Sequence, residues 1–262
     1  MEFKINKLSF SYNSVKILDG ITLQIKEKDI LGIIGPNGSG KTTLLKCMNN
    51  VLKPRSGTVL INDINISNMN RKEVARNVGV VPQVSSVSFP FTVNDLVTMG
   101  RYSRKRRFEK ESDADRDIVK ECLARTGLSH MSERYITEIS GGEYQKVIIA
   151  RALAQQPRIL LLDEVTLHLD INHQIEILDL VKTLSLEKKI AVVMVLHDLS
   201  LAARYSNRAI MLNKGVIYAS GTPEDVINVK NIREVYGIEA EIGRSSKGNH
   251  LNVIPISTFK SG

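Results

Sequence analysis

Over its first third the chain sets out apolar residues in short runs broken by polar turns. The segments FKINKLSFSY and ITLQIKEKD read as short strands flanking a turn, and ILGIIG as a buried strand ending at Gly35. From Gly40 the period changes. GKTTLLKCMNNVL predicts a helix stopped by Pro54, GTVLINDINI two short strands, and VGVVPQ a strand ending at Pro82. Residues 93–156 differ in character: TVNDLVTMGRY, SDADRDIVKECLARTGL and GGEYQKVIIARALAQQ all carry helical spacing, and Pro157 closes the last. Strand character returns at 158–162, then INHQIEILDLVKTLSLE reads as a helix and IAVVMVL as a strand. RAIMLNKGVIYASG predicts strand, turn and strand, with Lys214 and Gly215 at the turn. From Pro223 the tail mixes helix and short strand. Beyond about Gly237 it offers a loop and one strand, a small sheet edge that completes the fold.

Alternation of this sort implies an α/β fold, a mostly parallel sheet covered by helices. The predicted organisation is an α/β core with an antiparallel β subdomain over 1–92 and 158–225, a helical subdomain over 93–157, and a C-terminal extension over 226–262. There is no internal repeat and no low-complexity linker.

Composition narrows the class. In 262 residues, a hydrophobic content of 42% suffices for a substantial core. The longest apolar runs fall short of the roughly 20 residues a membrane span needs, and MEFKINKLSF lacks a secretory core. The expectation is a soluble cytoplasmic protein. Cys47 and Cys122 lie far apart with no metal-like spacing and read as ordinary thiols. A net charge of +8 favours an anionic partner, whether nucleotide, nucleic acid or lipid headgroup, without choosing among them.

The chemistry is carried by two stretches. GPNGSGKT, Gly35 to Thr42, matches G-x-x-x-x-G-K-[ST] between a predicted strand and a predicted helix. Its glycines let a loop wrap phosphate oxygens, Lys41 supplies a cation to the β/γ-phosphates, and the Thr42 hydroxyl can ligate Mg²⁺. The second stretch, ILLLDEVTLHLD, is an apolar strand that ends in two acids. An isolated acid pair reads as a solvated strand end. Beside a phosphate loop, Asp163 is placed for the metal and Glu164 for orienting or deprotonating a water.

With these in place, ISGGEYQ, Ile139 to Gln145, resembles the signature of the ABC-type ATPases, whose phosphate loop and acid pair come in the same order and spacing. The resemblance covers about residues 2–225. It implies a P-loop NTPase core that binds ATP and Mg²⁺ through Tyr12, Gly35, Pro36, Asn37, Gly38, Ser39, Gly40, Lys41, Thr42 and Thr43. Tyr12 would stack on adenine. It makes Gln83 a Q-loop residue that is both catalytic and metal-binding, Asp163 a metal ligand, Glu164 the catalytic base and His197 a catalytic switch histidine. Ser140, Gly141, Gly142 and Gln145 would face nucleotide held by a second copy of the chain, and Asp170 would belong to the loop between paired sites. Taken alone, Gln83 reads as a polar strand end, His197 as a satisfied buried histidine and Tyr12 as a surface aromatic. As a set on the expected loops they read as a site.

FPFTVNDLVTMGRYSRKRRF, with REVYGIEAEI after GTPEDVI, resembles the importers of iron–siderophore, haem and cobalamin. Molybdate-type oxyanion importers, a soluble non-transport ABC ATPase and a nucleotide-sensing module are the alternatives. The resemblance implies a homodimer at the cytoplasmic face of the membrane, multi-span permease subunits, an external binding protein acting through them, and no nucleic acid. The basic run Arg101, Arg104, Lys105, Arg106 and Arg107 is expected near the permease or the inner-leaflet phosphates; the rival reading is a charged loop balanced by the acids at 109–117. The family usually has Pro and a small polar residue where this chain has Val165 and Leu167, so the loop after Glu164 should be less constrained, with hydrolysis retained.

Overall fold

The structure, a computed structural model, describes residues 2–83, 89–106, 109, 111–167, 169–246, 248 and 250–259. Strands β1 (Glu2–Tyr12), β2 (Val15–Lys26) and β3 (Ile30–Ile34) lead into helix α1 (Lys41–Met48), followed by β4 (Ser56–Ile61) and β5 (Ile64–Asn65). Next come α2 (Arg71–Asn77), β6 (Val78–Val81), α3 (Val93–Thr98), α4 (Asp113–Arg125) and α5 (Gly141–Ala154). Strand β7 (Ile159–Asp163), α6 (Ile171–Lys188), β8 (Ala191–Val195), α7 (Leu199–Tyr205), β9 (Arg208–Asn213) and β10 (Val216–Gly221) follow. The tail forms α8 (Pro223–Val226), α9 (Val229–Tyr236), β11 (Ile238–Arg244) and β12 (Leu251–Thr258). Backbone contacts group these into two compact units, Met1–Asn68 with Ala191–Gly262, and Met69–Ile190.

In the first unit, β2-β1-β4-β5 form an antiparallel sheet. Alternation along β1 buries Phe3 and Ile5, which sit opposite Ile61 and Val59 of β4. Strand β3, ILGII, is buried throughout because it lies between β8 and β9, parallel to both, while β10 closes that side antiparallel to β9. The β3/β8 register pairs Ile33 with Val195, so Gly35 and His197 leave their strands at the same edge.

In the second unit, β6 and β7 run parallel with Val81 opposite Leu162, so Gln83 and Asp163–Glu164 also exit together. Helices α3, α4 and α5 pack on one another and bury Val93, Leu96, Val97, Val119, Leu123, Val147 and Ile148.

The architecture is the expected one, with local differences. Helix α1 ends at Met48, well before Pro54, because Asn50 takes a left-handed φ of 59° and the Val51 and Leu52 N–H groups turn back to the Lys46 carbonyl. Helix α2 was not foreseen. Beyond Gly237 the tail is a hairpin of two strands, β11 paired with β12, and among the described residues it adds no edge to another sheet.

Candidate functional site

The phosphate-loop sequence folds as its glycines require. Gly35, Gly38 and Gly40 adopt φ of 147°, 78° and 104°, values that L side chains avoid. At Gly35 space matters too: a Cβ there would lie 2.2 Å from the Leu212 carbonyl oxygen. The Lys41 ammonium donates to the Gly35 and Pro36 carbonyls at 2.8 and 3.0 Å, drawing the loop around itself. The Ser39 hydroxyl is buried with no hydrogen-bond partner among the described residues. A buried orphan donor in a loop of this curvature fits a phosphate oxygen. Thr42 and Thr43 follow in the first turn of α1. The loop is anchored from behind by the Gly215 N–H on the Ser39 carbonyl (3.1 Å) and by a hydrogen bond between the Gly35 backbone and the Tyr236 phenol, whose pKa burial pushes upward. That Tyr236 contact, made by the C-terminal extension, had no signal in the sequence.

At the end of β1 the Tyr12 ring is half-exposed and meets Phe10 edge-on at 4.9 Å between centroids, which leaves an aromatic face for stacking. His197 is exposed just past β8, so the reading of a satisfied buried histidine is set aside.

In the second unit the parallel register of β6 and β7 brings Gln83 to Glu164, and the amide Nε2 donates to the carboxylate at 2.7 Å. Asp163 ends β7 at 8% exposure, while Glu164 takes a left-handed φ of 52°. Non-glycine residues held there carry strain that the surroundings must offset. Here Val165 is buried and the Leu167 N–H closes a turn on the Glu164 carbonyl at 3.0 Å. The loop therefore has an apolar anchor where a proline was missing. Thr42, in the first unit, and Asp163, in the second, each carry an oxygen donor of the kind Mg²⁺ takes. The phosphate loop, with its orphan hydroxyl and its ammonium, fits ATP.

Ser140 caps α5, its hydroxyl accepting the Glu143 N–H while the Glu143 carboxylate accepts the Ser140 N–H at 2.7 Å. Gly141 stands open, with nothing within 4 Å of a Cβ built there; Gly142 is buried. The Gln145 Nε2 is buried without a partner among the described residues. Asp170 caps α6 and accepts from the His173 N–H and imidazole, which together hold its carboxyl below the usual range. His173 escaped the sequence reading; the only signal was a histidine three residues after Asp170.

Part of the basic run turns inward, with Arg101 buried and Arg104 and Lys105 half-buried. Arg101 is buried, donates to Asp115 at 2.8 Å and to the Ala154 carbonyl at 2.6 Å, and reaches Gln156 at 3.2 Å. Arg104 donates to the carbonyls of Gln155, Gln156 and Arg76. Both guanidiniums serve the C-terminal end of α5, where unpaired carbonyls and the helix dipole favour a cation. The expectation of a lipid- or permease-facing cluster is thus corrected for these two, and one acid of 109–117 does neutralise Arg101. Arg106 is exposed, and Arg107 lies outside the described residues. Among the described residues, no helix is long and apolar enough to cross a membrane.

Comparison with known proteins agrees with this geometry. The family model described as ABC transporter matches residues 18–167. An uncharacterized ABC transporter ATP-binding protein of Methanocaldococcus jannaschii is 46% identical, over 92% of this chain and 94% of that protein. The iron(3+)-hydroxamate import ATP-binding protein of Bacillus subtilis is 38% identical over 93% and 90%. Among solved structures, an inward-facing ABC transporter assigned to the metal-chelate type superposes with a TM-score of 0.85 at 26% identity, covering 97% of this chain and 96% of that one.

Proposed function

The chain belongs to the ABC transporter ATP-binding family, and on that premise we propose that it binds and hydrolyses ATP with Mg²⁺ to drive import of a metal chelate, iron–siderophore or haem, or of cobalamin, through a partner permease. The observation that supports this most is the phosphate loop, with Lys41 drawn onto its carbonyls and Ser39 left as an orphan donor. The cargo follows from the relatives and from the segment after Gln83.

Each residue has a role in this reading. Tyr12 stacks on the adenine; Gly35 to Thr43 wrap the phosphates. Thr42, Gln83 and Asp163 would hold Mg²⁺, which would neutralise charge that builds on the phosphates. Glu164 accepts the proton of the attacking water, and the Gln83 amide holds one carboxylate oxygen so that the other is presented. His197 contacts the terminal phosphate. Ser140, Gly141, Gly142 and Gln145 complete the nucleotide site of a second copy, and Asp170 lies in the loop between the two sites. Two identical chains close on ATP and part after hydrolysis, because cleavage removes the group both sides hold. Residues 93–157 form the signature-bearing subdomain and 226–262 an extension. The pair works on the cytoplasmic side of the membrane.

Reconstitution tests the cargo. Co-purified with its permease, the chain should show turnover stimulated by a ferric chelate, haem or cobalamin. Stimulation by molybdate-type oxyanions instead would favour the neighbouring importer class, and equal turnover with and without permease a soluble ATPase.

A further inference from the structure

Helix α6 begins with an arrangement that a helix cap does not require. Asp170 already caps it through the His173 backbone N–H at 2.9 Å, a bond any residue at that position supplies. The His173 imidazole adds a second link: its Nδ1 lies 2.9 Å from both Asp170 carboxylate oxygens. An ionised carboxylate only accepts, so Nδ1 carries the proton and donates.

The other edge of the ring meets the signature. A Cβ on Gly142 would lie 2.4 Å from His173 Cδ2, 2.7 Å from Cγ and 2.9 Å from Nε2. Gly142 has no positive φ, so its backbone could be adopted by any residue. The missing side chain is needed for the space the imidazole fills. Gly141 is the contrast, with open surroundings suited to a ligand. One turn further along the same two faces, Lys146 of α5 pairs with Glu176 of α6 at 2.7 Å, continuing the seam.

We propose that His173 is a positioning residue that ties Asp170 to Gly142 within one chain, so that the loop carboxylate and the signature glycine keep a fixed spacing as the paired sites close. This rests on the roles given above to Asp170 and to Ser140–Gly142. The link is stiff, since an imidazole has two rotatable bonds and is held at both edges. When the start of α5 shifts toward nucleotide, Asp170 shifts with it.

The two edges can be separated by substitution in the full-length chain. H173N keeps an N–H donor near the Nδ1 position and gives up the ring; H173F keeps a ring against Gly142 and gives up the donor. Each should lower kcat about tenfold through misplacement of groups away from the reacting atoms, with KM for ATP changed by less than about twofold. Melting temperatures should stay close to wild type, which a residue needed only for folding would not allow. A kcat at the wild-type level in both variants, with E164Q inactive, overturns the tie and leaves the ATPase assignment intact. An independent arm needs no activity. G142A should melt below the double variant H173A/G142A, because removing the ring restores the space; the reverse order overturns the contact. Full turnover by E164Q would count against the underlying site assignment instead, and the melting order would still decide the contact.

Discussion

Gln83 donates its side-chain amide to the Glu164 carboxylate across 2.7 Å, linking the residues that follow β6 and β7. The bond orients the carboxylate, so in the proposed mechanism Gln83 acts on the base as well as at the metal. Q83A should therefore lower kcat while KM for ATP changes little, and Q83E should be worse because it sets a second carboxylate against the first. Steady-state ATPase kinetics check both; a Q83E enzyme faster than Q83A would contradict the assignment.

Phosphate-loop glycines should differ in what alanine does to them. G35A places a Cβ 2.2 Å from a backbone oxygen, which cannot yield cheaply, so nucleotide binding and melting temperature should both fall sharply. G38A meets nothing within 4 Å and carries only the strain of its φ of 78°, about 1–2 kcal/mol. Thermal melts with and without ATP should rank G38A well above G35A.

Arg101 and Asp115 form a buried pair whose separation should be costly. R101M leaves the carboxylate uncompensated and should cost about 3 kcal/mol in urea unfolding, while R101M/D115L should recover most of the loss. Burial opposes ionisation of Asp115, yet the Arg101 and Ser112 hydrogen bonds outweigh it and hold its pKa below the usual value. A depressed carboxyl contributes stability above its unfolded pKa and loses it as pH falls through the folded one. The gap between wild type and R101M/D115N should therefore shrink only in acid, below the ordinary aspartate range.

Neither cysteine should react in the folded chain. Burial pushes the Cys47 thiol up to about 12 and Cys122 to about 11, and both residues are buried. Thiol titration at neutral pH should count no fast-reacting cysteine in the native protein and two in denaturant.

What the sequence made legible was local. The glycines of the phosphate loop, the acids at the end of an apolar strand and the serine that caps α5 announce themselves through spacing of a few residues. Helix α2 was missed because its seven residues are too few for a periodicity, although Asn70 and Glu73 spell a capping box. The hairpin β11–β12 was half read, since IEAEIGR alternates too weakly to mark a strand before its partner is known. Burial of Arg101 and the meeting of His173 with Gly142 depend on partners tens of residues away. A basic run and a lone histidine look alike whether they are solvated or enclosed. Val165 is the converse case: the family pattern marks the missing proline, while burial of the valine shows only in the folded chain.

In the proposed mechanism Glu164 is the base of an ATP hydrolase built on this phosphate loop. Its most direct test is single-turnover hydrolysis by E164Q beside nucleotide binding by the same protein. E164Q should bind ATP with near wild-type affinity and turn it over about 10²–10⁴-fold more slowly, the usual contribution of a positioned base. Turnover within twofold of wild type, at about the same affinity, would contradict it.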